Sequence, residues 1–148
     1  MRVIRSFADY PPTEDTAVLT IGNFDGIHLG HQAILNRARF LADSTAGKLV
    51  IITFENHPSQ LLRPDNAVYP LCSVAHKLQL LEKHGADVSV LIAFDRAFSD
   101  QEPESFLRGL KELIPFKHLV LGSDSRFGKG RKGTPKMVRK LGKSLDFS

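Results

Sequence analysis

Short apolar runs alternate with stretches of helical periodicity along the chain. Ala17 to Ile21 reads as a buried strand ending at Gly22, and after it Ile34, Leu35, Ala38, Leu41 and Ala42 fall on one helical face. Leu49 to Phe54, rich in β-branched residues, is a second strand. Ser73 can cap a helix carrying Val74, Leu78 and Leu81, with Gly85 at its stop, before a third strand from Val88 to Phe94. Phe106, Leu107, Leu110, Leu113 and Ile114 repeat the helical pattern between Pro103 and Pro115, and His118 to Leu121 is the fourth strand. Thr134 and Pro135 then open a last short helix, closed by Gly142. Strands separated by helices of this length require right-handed crossovers and a parallel sheet covered on both faces. The predicted fold is therefore α/β, a doubly wound parallel sheet. Ligands of such sheets sit beyond the carboxyl ends of the strands. The segments to examine are 22–31, 54–64, 94–104 and 122–133.

A length of 148 residues is that of one domain, and 42% hydrophobic with 24% charged residues excludes a disordered or collagen-like chain. The net charge of +4 is unevenly placed. Arg126, Lys129, Arg131, Lys132, Lys136, Arg139, Lys140 and Lys143 lie in a stretch without one acid, and the remainder of the chain is net acidic. Such a run is ordinarily a solvated face; the alternative is a segment that meets anions. Cys72 has no cysteine to pair with, which excludes a disulfide scaffold and fits a reducing compartment. Met1 to Tyr10 leads into no apolar segment and no run of 18 apolar residues exists, so a cytoplasmic protein without a membrane partner is expected.

The chemistry concentrates in the first strand-to-helix turn, Gly22-Asn23-Phe24-Asp25-Gly26-Ile27-His28-Leu29-Gly30-His31. Gly22, Gly26 and Gly30 permit close backbone approach and positive φ, and a helix start offers free N–H groups and the positive end of its dipole. That is a place for phosphate. His28 and His31 stand one helical turn apart, so both imidazoles can face one side and hold phosphoryl oxygens as charge accumulates on them. Gly30 between them leaves room for a nucleotide. With six His and 11 Gly in 148 residues, His-x-Gly-His arises by chance about 0.02 times in such a chain. As a zinc site the pair falls short, because no third ligand stands at a usual spacing, so no protein-held metal is expected.

Other segments are weaker taken singly. Gly128-Lys129-Gly130-Arg131-Lys132-Gly133 spells GxGxxG, but Ser123 to Phe127 separate it from the strand, and an acidic ribose partner some 20 residues on would lie beyond Ser148. A basic loop over phosphates, or a solvated loop, fits better. No GxxxxGK[ST] is present, so a P-loop kinase is not supported. Phe54-Glu55-Asn56-His57-Pro58 joins an aromatic, a carboxylate, an imidazole and a rigid proline; His57 alone reads more readily as a loop histidine bonded to backbone. Asp124 can hydrogen-bond a ribose or orient a phosphate, or serve turn chemistry, and Phe127 can stack on a planar ring. His76, His84 and His118 read as structural.

In these motifs the chain resembles the adenylyltransferase domain of the bacterial bifunctional riboflavin kinase/FAD synthetases, within the HxGH nucleotidylyltransferase superfamily. The likeness spans essentially all of residues 1–148 and rests on Thr20 to Leu35 (TIGNFDGIHLGHQAIL), Ile52 to Pro58 (ITFENHP), Phe94 to Leu107 (FDRAFSDQEPESFL) and Leu121 to Gly133 (LGSDSRFGKGRKG). It implies a Rossmann-like nucleotidylyltransferase fold and the reaction FMN + ATP to FAD + pyrophosphate, with Mg2+ accompanying ATP. His28 and His31 would be the catalytic phosphate binders. Gly22, Asn23, Phe24, Asp25, Gly26, Gly30 and Asp124 would cradle the nucleotide, and Phe54, His57, Pro58 and Phe127 would meet the flavin.

Three departures bear on that expectation. Asn56 stands where the family usually has Pro and Ser125 where an aromatic is common, and each loosens the expected flavin contacts. The Ser-Ser-Thr-x-Ile-Arg motif, which supplies further phosphate donors in the superfamily, and the riboflavin kinase barrel normally fused behind it do not occur within the 148 residues. The resemblance thus implies an FMN adenylyltransferase domain lacking its C-terminal elements, as a portion of a longer protein or a shortened homologue. Two other readings stand beside it: a superfamily transferase with another phosphorylated acceptor, and a flavin- or nucleotide-binding module without catalysis. Nucleic-acid binding through Arg126 to Lys143 is disfavoured, since no interleaved aromatic stripe accompanies the charge beyond Phe127.

Overall fold

The computed structural model describes residues 1–148. Five strands, β1 (Arg2–Ile4), β2 (Ala17–Ile21), β3 (Lys48–Phe54), β4 (Val88–Ile92) and β5 (Phe116–Val120), form one all-parallel sheet in the order β1-β4-β3-β2-β5. The helices are α1 (Leu29–Ser44), the short α2 (Ser59–Leu62), α3 (Val74–Lys83), the short α4 (Arg96–Ser99), α5 (Pro103–Leu113) and α6 (Pro135–Leu145). From β2 the chain steps through α1 to β3 and through α3 to β4, then returns through α5 to β5 on the other side of β2. The connections therefore change direction between β2 and β5, the place where ligands of doubly wound sheets gather.

Alternation along the strands builds one core on each face. Ala17 and Leu19 of β2, with Val50 and Ile52 of β3, pack towards α5 and α6 through Phe106, Leu107, Leu110, Val138 and Leu141. Val18, Leu49 and Ile51 pack towards α1 and α3 through Leu35, Ala38, Ala42 and Leu81. Each fully buried Val, Leu or Ile among them contributes about 1.5–3 kcal/mol.

Several expected boundaries move. β1 was not foreseen: only Ile4 of its three residues is buried. β5 begins at Phe116, two residues earlier than expected, because fully buried Phe116 pairs opposite Ala17 although exposed Lys117 interrupts the apolar run. β4 ends at Ile92 rather than Phe94, whose backbone is claimed by the side chain of Asn56. Gly142 does not close the last helix; α6 continues to Leu145 and is capped by Asp146 in the left-handed region (φ 55°). A Cβ on Gly142 would lie 2.5 Å from the Phe147 carbonyl oxygen, so this glycine permits a close approach instead of a stop.

Candidate active site

The turn between β2 and α1 is held by its apolar side chains. Phe24 (φ 49°) and Ile27 (φ 41°) both adopt the left-handed region, which for a β-branched residue is strained. Their side chains are buried in the core beneath α1, and that burial holds the backbone in place. Of the three glycines only Gly26 uses positive φ (70°). Gly22 instead makes room for the Phe24 ring and Gly30 for the His28 ring, where a Cβ would come within 3.1 Å of each. The space over Gly30, expected to be open to a nucleotide, is thus taken by an imidazole.

His28 is the N-cap of α1: its Nδ1 accepts from the His31 backbone N–H at 3.4 Å, which leaves the proton of the neutral ring on Nε2. The His28 and His31 rings stack with centroids 3.7 Å apart and planes 23° apart, and Phe24 packs 5.2 Å from His31. His28 is exposed and His31 half-buried. His31 Nδ1 is shielded from solvent and has no hydrogen-bond partner. Burial, then the neighbouring His28, push the His31 pKa down; Asp25 and Asp124 pull against this. Two stacked imidazoles, one carrying an orphaned polar atom, suit an anion, whose charge would oppose the lowering of the His31 pKa.

The other residues assigned to the nucleotide divide by what their side chains already do. Phe24 lies with its ring in the core, so only its backbone faces the turn. The buried Asp25 carboxylate accepts from the backbone N–H groups of Leu71 (2.9 and 2.8 Å) and Cys72 (3.2 Å), pinning the approach to α3 against the turn. Its side chain is a staple and not an open ligand. Asn23 presents a buried Oδ1 without a partner, while its carbonyl accepts from Thr53 Oγ1 and Lys77 Nζ, each at 3.0 Å. Asp124 is exposed beyond β5, close over Gly122, where a Cβ would lie 3.2 Å from its Oδ1.

Beside this turn a cleft of about 540 Å3 opens over the ends of β2, β3 and β5. It brings together Phe54, His57, Pro58 and Phe127, the four residues expected on the flavin side, and reaches Gly22 and Asn23 at the foot of the histidine turn. His28 and His31 are outside its lining. Its apolar wall is a run of edge-to-face aromatics, with Phe54 5.1 Å from Phe94 and 5.4 Å from Phe98, and Phe98 joined through Phe106 to Phe127. His57 Nδ1 accepts from the Ser59 N–H at 3.1 Å, which turns the opposite ring edge away from α2. Asn56, a departure expected to loosen the cleft, donates to the Phe94 carbonyl at 2.9 Å and accepts from its N–H at 2.8 Å, so it ties two rim loops together.

The basic stretch splits in two. Phe127 and Gly133 exchange backbone hydrogen bonds and close the GxGxxG segment into a loop docked on the Gln101 carbonyl. From it Arg126 and Arg131 reach the cleft, while Lys136, Arg139, Lys140 and Lys143 line the exposed face of α6. Lys77, which the sequence reading passed over, is the buried cation of the site, 5% exposed. Its position on the stripe of Val74 and Leu81 was the available signal: a lysine among core positions of a helix needs a partner.

Three or more His, Cys, Asp or Glu side chains do not gather anywhere in the fold. No helix is long and apolar enough to cross a membrane.

Residues 10–148 match the family model described as FAD synthetase. The bifunctional riboflavin kinase/FMN adenylyltransferase of Haemophilus influenzae is 34% identical over 99% of this chain and 48% of its own length. The Escherichia coli K12 protein of the same description is 32% identical over 99% of this chain and 47% of its own. The chain therefore spans about half the length of the curated relatives it matches. A solved Streptococcus pneumoniae structure described as a macrolide-efflux protein superposes with a TM-score of 0.81 at 23% identity, covering 95% of this chain and 47% of that one. At that identity the likeness is one of fold.

Proposed function

Since the chain belongs to the FAD synthetase family, we propose that it transfers the adenylyl group of ATP to FMN, giving FAD and pyrophosphate. The observation that carries this reading is the meeting of two unlike half-sites at the carboxyl end of the sheet. One is the stacked His28–His31 pair at the start of α1; the other is the aromatic cleft, and Gly22 and Asn23 lie between them.

In this reading the triphosphate of ATP lies along the histidine turn and the flavin ring of FMN in the cleft, against Phe54, Phe127, His57 and Pro58. A phosphate oxygen of FMN attacks the α-phosphorus of ATP in line, the P–O–P bond to the β-phosphate breaks, and pyrophosphate leaves with the electron pair. No covalent intermediate with the protein is needed. His28 and His31 donate to the phosphate oxygens, and their hydrogen bonds strengthen as charge builds in the transition state. Mg2+ bound to the leaving phosphates would neutralise their charge. Gly26 gives the turn its shape, and Asp124 would orient the nucleotide. The aromatic wall favours a flat ring, which speaks for FMN over a phosphorylated acceptor without one.

The test is to incubate the full product of the gene with FMN, ATP and Mg2+ and follow FAD and pyrophosphate. Both should form together, and His28→Ala or His31→Ala should each lower kcat about 100- to 1,000-fold. Pyrophosphate release with another acceptor and none with FMN would transfer the function to that acceptor. Saturable FMN and ATP binding without product would reduce the site to a binding module.

A further inference from the structure

The geometry points to Lys77 as a positioning residue that sets the spacing between the nucleotide turn and the acceptor cleft. β2 and β3 are paired up to Ile21 opposite Ile52, and the last ladder bond runs from Gly22 N–H to the Ile52 carbonyl at 3.0 Å. Beyond it the two backbones part. Asn23 leads into the histidine turn, while Thr53 and Phe54 stay paired with Leu91 and Ile92 of β4 and then enter the cleft rim. At this fork each strand has carbonyls that the other no longer serves.

Lys77 enters the fork from α3. Its Nζ donates to the Asn23 carbonyl at 3.0 Å and to the Phe54 carbonyl at 2.8 Å, one on each prong. Thr53 Oγ1 donates to the same Asn23 carbonyl at 3.0 Å. An ammonium removed from water is costly, and a neutral donor would satisfy a single carbonyl more cheaply. What the ammonium adds is a second and third hydrogen from one atom, so the two prongs share a fixed point. Asp25 pins the segment before α3 to the same turn, which anchors the helix that carries the lysine.

In-line transfer requires the attacking oxygen and the phosphorus at about 3–3.5 Å, and a 1 Å misplacement costs about 100-fold in rate. The fork divides the element that would hold one reactant from the element that would hold the other. Lys77 therefore acts on their relative placement and touches neither. The kinetic part of this inference rests on the FMN adenylyltransferase reading; the mechanical part does not.

The experiment compares Lys77→Met, of similar length without a donor, with Lys77→Arg in the full gene product. For Lys77→Met, kcat for FAD should fall about 100-fold while ATP and FMN, bound separately, change dissociation constant by less than about threefold. Lys77→Arg should recover part of kcat. Hydrogen exchange should quicken in 22–31 and 55–58 with α3 amides unchanged, where a merely structural lysine would loosen α3 as well. A folded Lys77→Met with unaltered exchange in both segments, or with kcat within about threefold, overturns the inference. If Lys77→Met does not fold, Lys77→Gln decides, since its shorter neutral side chain cannot reach both carbonyls: a loss of about tenfold in kcat with faster exchange in 22–31 and 55–58 supports the role, and an unchanged kcat refutes it. If the unaltered protein makes no FAD, the functional reading fails, and the exchange measurement alone judges Lys77.

Discussion

His31 shows how far a single residue can be read from its surroundings. Its lowered pKa means that the folded protein binds that proton less readily than the unfolded chain does. The stability it contributes is therefore present above the ordinary value of 6.5 and is lost as pH falls through the lower folded pKa. Replacing it by His31→Gln should flatten the acid side of the stability profile, measured by urea unfolding between pH 7 and pH 5. A triphosphate beside the ring reverses the balance, because an adjacent negative charge favours the imidazolium. Binding of ATP near pH 6 should then take up a proton, seen as a dependence of the calorimetric heat on the ionisation heat of the buffer. That uptake should vanish in His31→Gln; its persistence would place the titrating group elsewhere.

At the level of elements, Gly142 offers the sharpest consequence. α6 turns back onto β5 through Asp146, and Ser148 N–H then donates to the Lys117 carbonyl at 3.0 Å while the Ser148 carbonyl accepts from Leu119 N–H at 2.8 Å. Gly142→Ala would push a methyl into the Phe147 carbonyl and should cost about 1–3 kcal/mol, read from thermal unfolding, despite the better helix propensity of alanine. A stabilised variant would mean that the Phe147 backbone moves aside freely. The elements themselves were largely open to inspection of the sequence. β2 spans the residues that its apolar run announces, and α5 begins and ends where Pro103 and Pro115 imply. What stayed hidden depends on partners distant in sequence: the shifted first register position, opposite Ala17, that makes Phe116 part of β5, the strained φ of Phe24 and Ile27, and the staple from Asp25 to Leu71. The Gly22–His31 turn stands out from its composition as a candidate phosphate site. Which of its side chains remain free was not legible there, because burial elsewhere decides it.

Across the whole molecule, the sheet separates two cores that support different halves of the site. Phe24 and Ile27, which shape the histidine turn, share a core with Leu35 beneath α1. Phe98 and Phe127 of the aromatic wall pack against the core that contains Leu107 beneath α5. Both Leu35 and Leu107 are fully buried, so replacing either by Ala should cost about 2–5 kcal/mol. Because one sheet lies in both cores, with neighbours Val18 and Leu19 of β2 pointing to opposite sides, urea should still unfold each variant in one transition with an unchanged m-value. The effects on ligands should part company. Leu35→Ala should weaken ATP binding about three- to tenfold and leave FMN nearly unaffected, and Leu107→Ala should do the reverse. Equal losses for both ligands in both variants would mean that the two half-sites move as one body, and the sheet would then transmit strain across its faces instead of isolating them.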